Sequence, residues 1–344
     1  MVIIIQDLLL FYIYMEYFMM FKKFISVALA TVMLAAALFL SGCAEKQDDA
    51  DKVYNIGICQ LVTHDALDAA TEGFKKALVD ELGESRVKFD EQNAANSSDT
   101  CVTIINSFVS SKVDLILANA TPALQAAANA TVDIPILGTS ITEYGVALDI
   151  DNFSGTVGGN ISGTSDLAPL DEQANMITEI VPDAKTVGII YCSAEANSAY
   201  QVQVVRSALE DKGLTVKEYK FSDSNDVALI SENAASECDV IYIPTDNTAA
   251  SCAKTIDNAV RPKKVPIIAG EAGICSGCGV ATLSISYYEL GYTTGKMAAR
   301  ILRGEAKISE MPIEYDTKPV KKYNAEICAD LGITPPDGYQ ALDS

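Results

Sequence analysis

A chain of 344 residues, 49% hydrophobic and 21% charged, can bury one large core or two of ordinary domain size. Its 46 acidic residues against 25 basic ones leave a formal net charge of −21, which repels nucleic acid and anionic membrane surfaces over most of the molecule. Nucleic acid is not expected as a partner.

The N-terminal region differs in kind from the rest. Lys22 and Lys23 precede the apolar stretch Phe24 to Leu40, which ends in Leu40-Ser41-Gly42-Cys43. Basic residues, a hydrophobic segment and small residues at a cleavage point make a secretory signal peptide over 1–43. The ending resembles the lipobox of bacterial lipoproteins, with Cys43 the lipidated N-terminus of the mature protein. Met20 is the expected start, because Met20-Phe21-Lys22-Lys23 is a normal signal-peptide opening; the competing reading is a transmembrane anchor, since apolar character extends back to Met1. Residues 44–52 are polar and acidic and read as a tether.

From Val53 strand and helix signals alternate. Tyr54 to Cys59 reads as a buried strand, followed by an amphipathic helix carrying Leu67, Ala70, Phe74, Leu78 and Leu82 and stopped by Gly83. Val87 to Phe89 is a second strand, and Asp99 is the expected N-cap of the next helix. Val113 to Leu117, a helix from Pro122 to Ala130, and a strand from Ile134 to Leu137 complete a first unit. The order recurs with strands at Thr186 to Cys192, Cys238 to Thr245 and Val265 to Gly270, joined by helical stretches such as Asn197 to Lys212. Strands separated by helix-length connections imply parallel sheets covered on both faces. The expected fold is α/β, two Rossmann-like lobes with parallel sheets joined by a multi-strand hinge. The lobes are expected at 53–158 plus 285–311 and 159–284 plus 312–335. The glycine-rich segment Gly155 to Gly163 is the expected crossing between them, and Ala281 to Ser286 a strand leading the chain back.

Ligands of open parallel sheets sit beyond the carboxyl ends of the strands. That rule selects Gln60 and His64, Thr121-Pro122, Thr139-Ser140, then Glu195, Asn197 and Ser198, Thr245-Asp246-Asn247, and Glu271. Pro122 in the first helical turn loses no hydrogen bond, and the open N–H groups there suit a carboxylate or simply start a helix. Asp246 suits an ammonium or serves as an N-cap. Of Tyr287 and Tyr288, strand alternation would turn one inward. His64 is the only histidine and no nucleophile elbow accompanies it, so no catalytic residue is expected. Glycines 155, 158, 159 and 163 form no phosphate loop. Cys275-Ser276-Gly277-Cys278 lacks a second CxxC, which favours a loop disulfide or two free thiols over zinc; no metal or other cofactor is expected.

The segments Thr121 to Asn129, Thr164 to Pro169, Ser193 to Ser198, Pro244 to Thr248, Ala269-Gly270-Glu271 and Tyr287 to Lys296 resemble the ABC transporter substrate-binding protein family whose members bind tryptophan, tyrosine or phenylalanine. The similarity runs from about Tyr54 to Pro312. It implies a type I periplasmic-binding-protein fold with three crossings and places Thr121, Ser140, Asp166, Glu195, Asn197, Ser198, Asp246 and Glu271 in or near the cleft. It also implies a monomeric, lipid-anchored extracytoplasmic protein that hands a solute, an amino acid with aromatic ones preferred, to an ABC permease and its ATPase. A sensory ectodomain or a sugar ligand are the alternatives. Within the amino-acid reading, Asp246 is expected to pair with the α-ammonium and the turn at Thr121-Pro122 with the carboxylate.

Overall fold

A computed structural model describes residues 52–315 and 318–342, together with Met15, Met19 and Met20. The signal peptide, Cys43 and the tether before Lys52 otherwise lie outside the described residues. No helix among the described residues is long and apolar enough to cross a membrane.

The first lobe alternates β1 (Tyr54–Gln60), α1 (Asp65–Leu82), β2 (Val87–Asn93), α2 (Ser98–Ser111), β3 (Leu115–Asn119), α3 (Thr121–Ala130), β4 (Ile136–Ile141), α4 (Tyr144–Leu148) and β5 (Ile161–Ser165). The second contains α5 (Leu170–Ile180), β6 (Thr186–Cys192), α6 (Ala196–Asp211), β7 (Thr215–Phe221), α7 (Val227–Glu237), β8 (Val240–Ile243), α8 (Asn247–Ser251), α9 (Ala253–Val260), β9 (Ile267–Ala269), α10 (Ala272–Cys278) and β10 (Ala281–Ser284). The chain then returns through α11 (Tyr287–Leu302) and β11 (Glu314–Tyr315) and ends in β12 (Val320–Tyr323), α12 (Ala325–Leu331) and β13 (Gln340–Ala341).

The sheets run β11-β5-β4-β3-β1-β2 and β13-β12-β10-β9-β8-β6-β7, parallel except where β12 meets β10. Both reverse strand order beside their first strand, at β1/β3 and β6/β8, where the helix N-termini part and leave a crevice. Central strands are apolar on both faces, as β3 and β8 are, because helices cover both sides.

The lobe boundaries move relative to the expectation. β5 pairs in parallel with β4, and β11 with β5, so 161–165 and 314–315 belong to the first sheet. The chain therefore crosses after Ser165, again between β10 and α11, and a third time between β11 and β12. Glycines 155, 158 and 159, all at positive φ, make the turn into β5 rather than the crossing. Gly163 is needed for close approach, since a Cβ there would press on the Gly138 backbone and the Tyr144 hydroxyl.

The helix pair α1/α11 packs through glycine. A Cβ on Gly291 would overlap the Ala70 carbonyl, and one on Gly73 the Tyr288 carbonyl, so the two backbones touch. Phe74, Leu78 and Met297 to Ala299 bury the rest of that seam. One helix start also differs: Ser97, not Asp99, caps α2, its hydroxyl accepting from Thr100 N at 3.2 Å.

Candidate functional site

Two backbone outliers mark the first lobe's strand ends. Ala120, between β3 and α3, has φ 93, and Ser140, inside an irregularity of the β4/β5 ladder, has φ 55. Non-glycine residues there cost on the order of 1–3 kcal/mol each and persist at binding sites. The register of that ladder shifts between Gly138 and Ile141, and the buried Ser140 Oγ has no partner. No side chain caps α3, whose first turn holds buried Thr121 and half-buried Pro122.

Buried polar atoms without partners concentrate here. They include Ser140 Oγ, His64 Nδ1 and Asp166 Oδ1 at the first lobe's strand ends and first crossing, Asn119 Oδ1 at the end of β3, and Asn197 Oδ1 at the start of α6 in the second lobe. An unmet buried polar group costs about 1–3 kcal/mol, so Ser140 and Asp166, both at strand ends, are candidates to meet a polar occupant. Asp166 is 4% exposed. Its Oδ2 accepts from the Tyr287 hydroxyl at 2.8 Å, tying the first crossing to the start of α11. Burial pushes its carboxyl above the usual range, opposed by Tyr287, Thr142 and His64.

Other expected ligand residues spend their atoms inside the protein. Gln60 donates to Val62 O at 2.9 Å and Asp68 at 2.6 Å and accepts from Thr71 at 2.7 Å, bracing β1 against α1. Glu271 caps α10 through Gly273 N and Ile274 N, and burial raises its carboxyl. Glu195 accepts from the backbone and side chains of Asn247 and Thr248. Thr245 N donates to Gln201 at 3.0 Å, and its hydroxyl lies 3.4 Å from Gly270 O.

Asp246 departs most from expectation. It accepts from Ala249 N at 2.8 Å as the cap of α8, and from Cys192 N and Ser198 Oγ, both at 2.7 Å. Three bonds leave little of the carboxylate for an ammonium. Burial, with Glu195 nearby, still pushes it up to about 7. Asp246→Asn retains the cap but sets an NH2 against donors, and is expected to cost about 1–3 kcal/mol in urea unfolding. Solute affinity, measured by calorimetry, should stay near wild type.

Tyr287 turns inward as the first residue of a helix, whereas Tyr288 stacks on Tyr292 at 6.3 Å. The cysteines of the CxxC run along α10 as free thiols, Cys278 donating to Ile274 O at 3.3 Å. Asn96, Asn119 and Thr248 escaped the sequence reading, although each stands at or just beyond a strand's carboxyl end, where the same rule applies. Asn96 Nδ2 donates to Thr248 Oγ1 across the lobes at 2.9 Å, and His64 Nε2 lies 3.4 Å from Asn247 Oδ1. Beside this contact a cavity of about 330 Å3 opens between the lobes, lined by His64, Asp65, Ala250, Ser251 and Gly273 among others.

Two lobes with this strand order, three crossings and a polar cleft between them define a type I periplasmic binding protein, which holds a solute rather than transforming it. Residues 55–341 match the family model described as ABC transporter substrate binding protein, and the chain belongs to that family. A tyrosine-binding protein of Clostridioides difficile is 36% identical over 307 residues, covering 85% of this chain and 87% of that one. A Streptococcus pneumonia structure in complex with L-Trp is 31% identical, covers 85% of this chain and all of that one, and superposes with a TM-score of 0.80. A ligand-free, open structure of a substrate binding protein with adhesive properties from Clostridium difficile is 36% identical with the same coverage but a TM-score of 0.65. The closer match is to the ligand-bound relative despite its lower identity, in keeping with the direct contacts between the lobes.

Proposed function

We propose that this protein is the extracytoplasmic receptor of an ABC importer, tethered through lipid on Cys43, and that it captures an L-amino acid, aromatic ones preferred, for a permease and ATPase. The observation that carries the reading is Asp166, a buried carboxylate in the first crossing with one oxygen unpartnered. It suits an ammonium, and the uncapped turn of α3 with the Ser140 hydroxyl suits the carboxylate of the same zwitterion. The tyrosine and L-Trp carried by relatives above 30% identity support the aromatic class.

Calorimetry with L-tyrosine, L-tryptophan, L-phenylalanine and their deaminated analogues tests it. At least one amino acid should bind, and its analogue without the amino group should bind far more weakly. Equal affinity for the two, or binding of neutral sugars alone, would remove the amino-acid reading.

A further inference from the structure

Glu195 stands at a strand end of the cleft yet offers the solute little. Asn247 gives it N at 3.0 Å and Nδ2 at 2.7 Å; Thr248 gives it N at 2.9 Å and Oγ1 at 2.8 Å. A carboxylate only accepts, so both side chains must turn their donors toward it. What they show the other lobe is then fixed as lone pairs, the Asn247 amide oxygen and the Thr248 hydroxyl oxygen. The first lobe faces them with Asn96 Nδ2, which donates at 2.9 Å, and with His64 Nε2 at 3.4 Å, a donor in the tautomer that carries its proton there.

The first lobe's half is equally preset. Ala95 and Asn96 are consecutive left-handed residues after β2, with φ 51 and 63. Backbone bonds from Ala94 N to Gln60 O and from Asn96 N to Leu61 O hold that turn, and Asn93 Oδ1 accepts from Ala95 N. The strain aims the Asn96 amide at the second lobe.

We propose that Asn96 and Thr248, with His64 and Asn247, form a latch between the lobes that sets how long a bound solute is retained, and that Glu195 is the positioning residue that fixes its polarity. This rests on the reading that closure captures a solute. Latch bonds exist only in the closed form, so weakening them depopulates that form and speeds release without touching the solute. It also differs from a bond to ligand in being indifferent to which solute is bound.

The test combines Asn96→Gly, Thr248→Val, the double variant and Glu195→Gln, in stopped-flow release of L-tyrosine and L-tryptophan. Each single change should speed release of whichever amino acid binds by roughly two- to ten-fold, the worth of one hydrogen bond. The double variant should be no faster than the faster single one, and Asn96→Gly, which removes the amide while tolerating the left-handed backbone, should not lower the ligand-free melting temperature. Glu195→Gln should also quicken hydrogen exchange at the amides of Asn247 and Thr248. Unchanged release, or effects that multiply in the double variant, overturns the latch. If neither amino acid binds, the solute reading fails, and the latch is judged from cross-linking of an Asn96→Cys/Thr248→Cys pair in ligand-free protein. A disulfide there that Glu195→Gln slows supports it, and no disulfide under oxidant refutes it.

Discussion

Asp166→Asn should weaken binding of the preferred L-amino acid by about thirty-fold to several thousand-fold, the roughly 2–5 kcal/mol lost when one partner of a desolvated charge pair is neutralised. Asparagine keeps the shape and can still accept from Tyr287, whose hydroxyl bonds Oδ2 at 2.8 Å, so the loss isolates charge at the unpartnered oxygen. The deaminated analogue should lose little in the same variant, and calorimetry on the four combinations measures the coupling. An equal loss for both ligands would mean that the substitution acts through the fold.

The same carboxyl gives the affinity a pH dependence. An ammonium needs the ionised form, and burial holds Asp166 above the ordinary carboxylate range, so affinity should begin to fall at a higher pH than for an exposed aspartate. Stability of the ligand-free protein runs the other way. Asp166, Asp246 and Glu271 are all raised by burial, so the folded state binds more protons than the unfolded state in the window above the usual values, reaching about 7 for Asp246. Acidification through that window stabilises the ligand-free fold.

Gly291→Ala should cost about 3 kcal/mol or more, at the upper end of overpacking penalties. The added Cβ would meet the backbone of Ala70, with carbonyl carbon and Cα at 2.6 and 2.8 Å, and neither helix has a flexible side chain to yield. Urea unfolding measures the loss. Because Tyr287 opens α11, spreading the helices should also loosen its bond to Asp166 and weaken solute binding. Wild-type stability would show that the seam has slack.

The alternation of strands and helices was legible because central strands such as Leu115–Asn119 are buried throughout and the helices carry apolar residues three and four apart. The crossing was misplaced because glycine marks conformational freedom without saying what uses it: Gly158 and Gly159 serve a turn, while the crossing itself runs through Asp166 and Pro169, which lack such a mark. At the strand ends the sequence shows which polar residues gather and not what each one bonds to. Asp246, Glu271 and Asp166 are acidic residues at strand ends, and only tertiary contacts separate the two that cap helices from the one with an open oxygen. Asn247 likewise depends on Glu195, 52 residues away in sequence, for the direction its amide faces.

The helix α11 has a consequence for how the protein is made. It belongs to the first lobe but is translated after ten strands, when most of the core of the second lobe has already been produced. Until it arrives, the face of α1 carrying Ala70, Gly73, Phe74 and Ala77 has no cover. The nascent first lobe is thus an incomplete unit exposing an apolar helix surface, while β6 to β10 can collapse independently behind it. Synthesis order therefore leaves the lobe begun first open along α1 while most of the other is made, and only the short run of β12, α12 and β13, which completes the second sheet, remains to be added after α11 closes it.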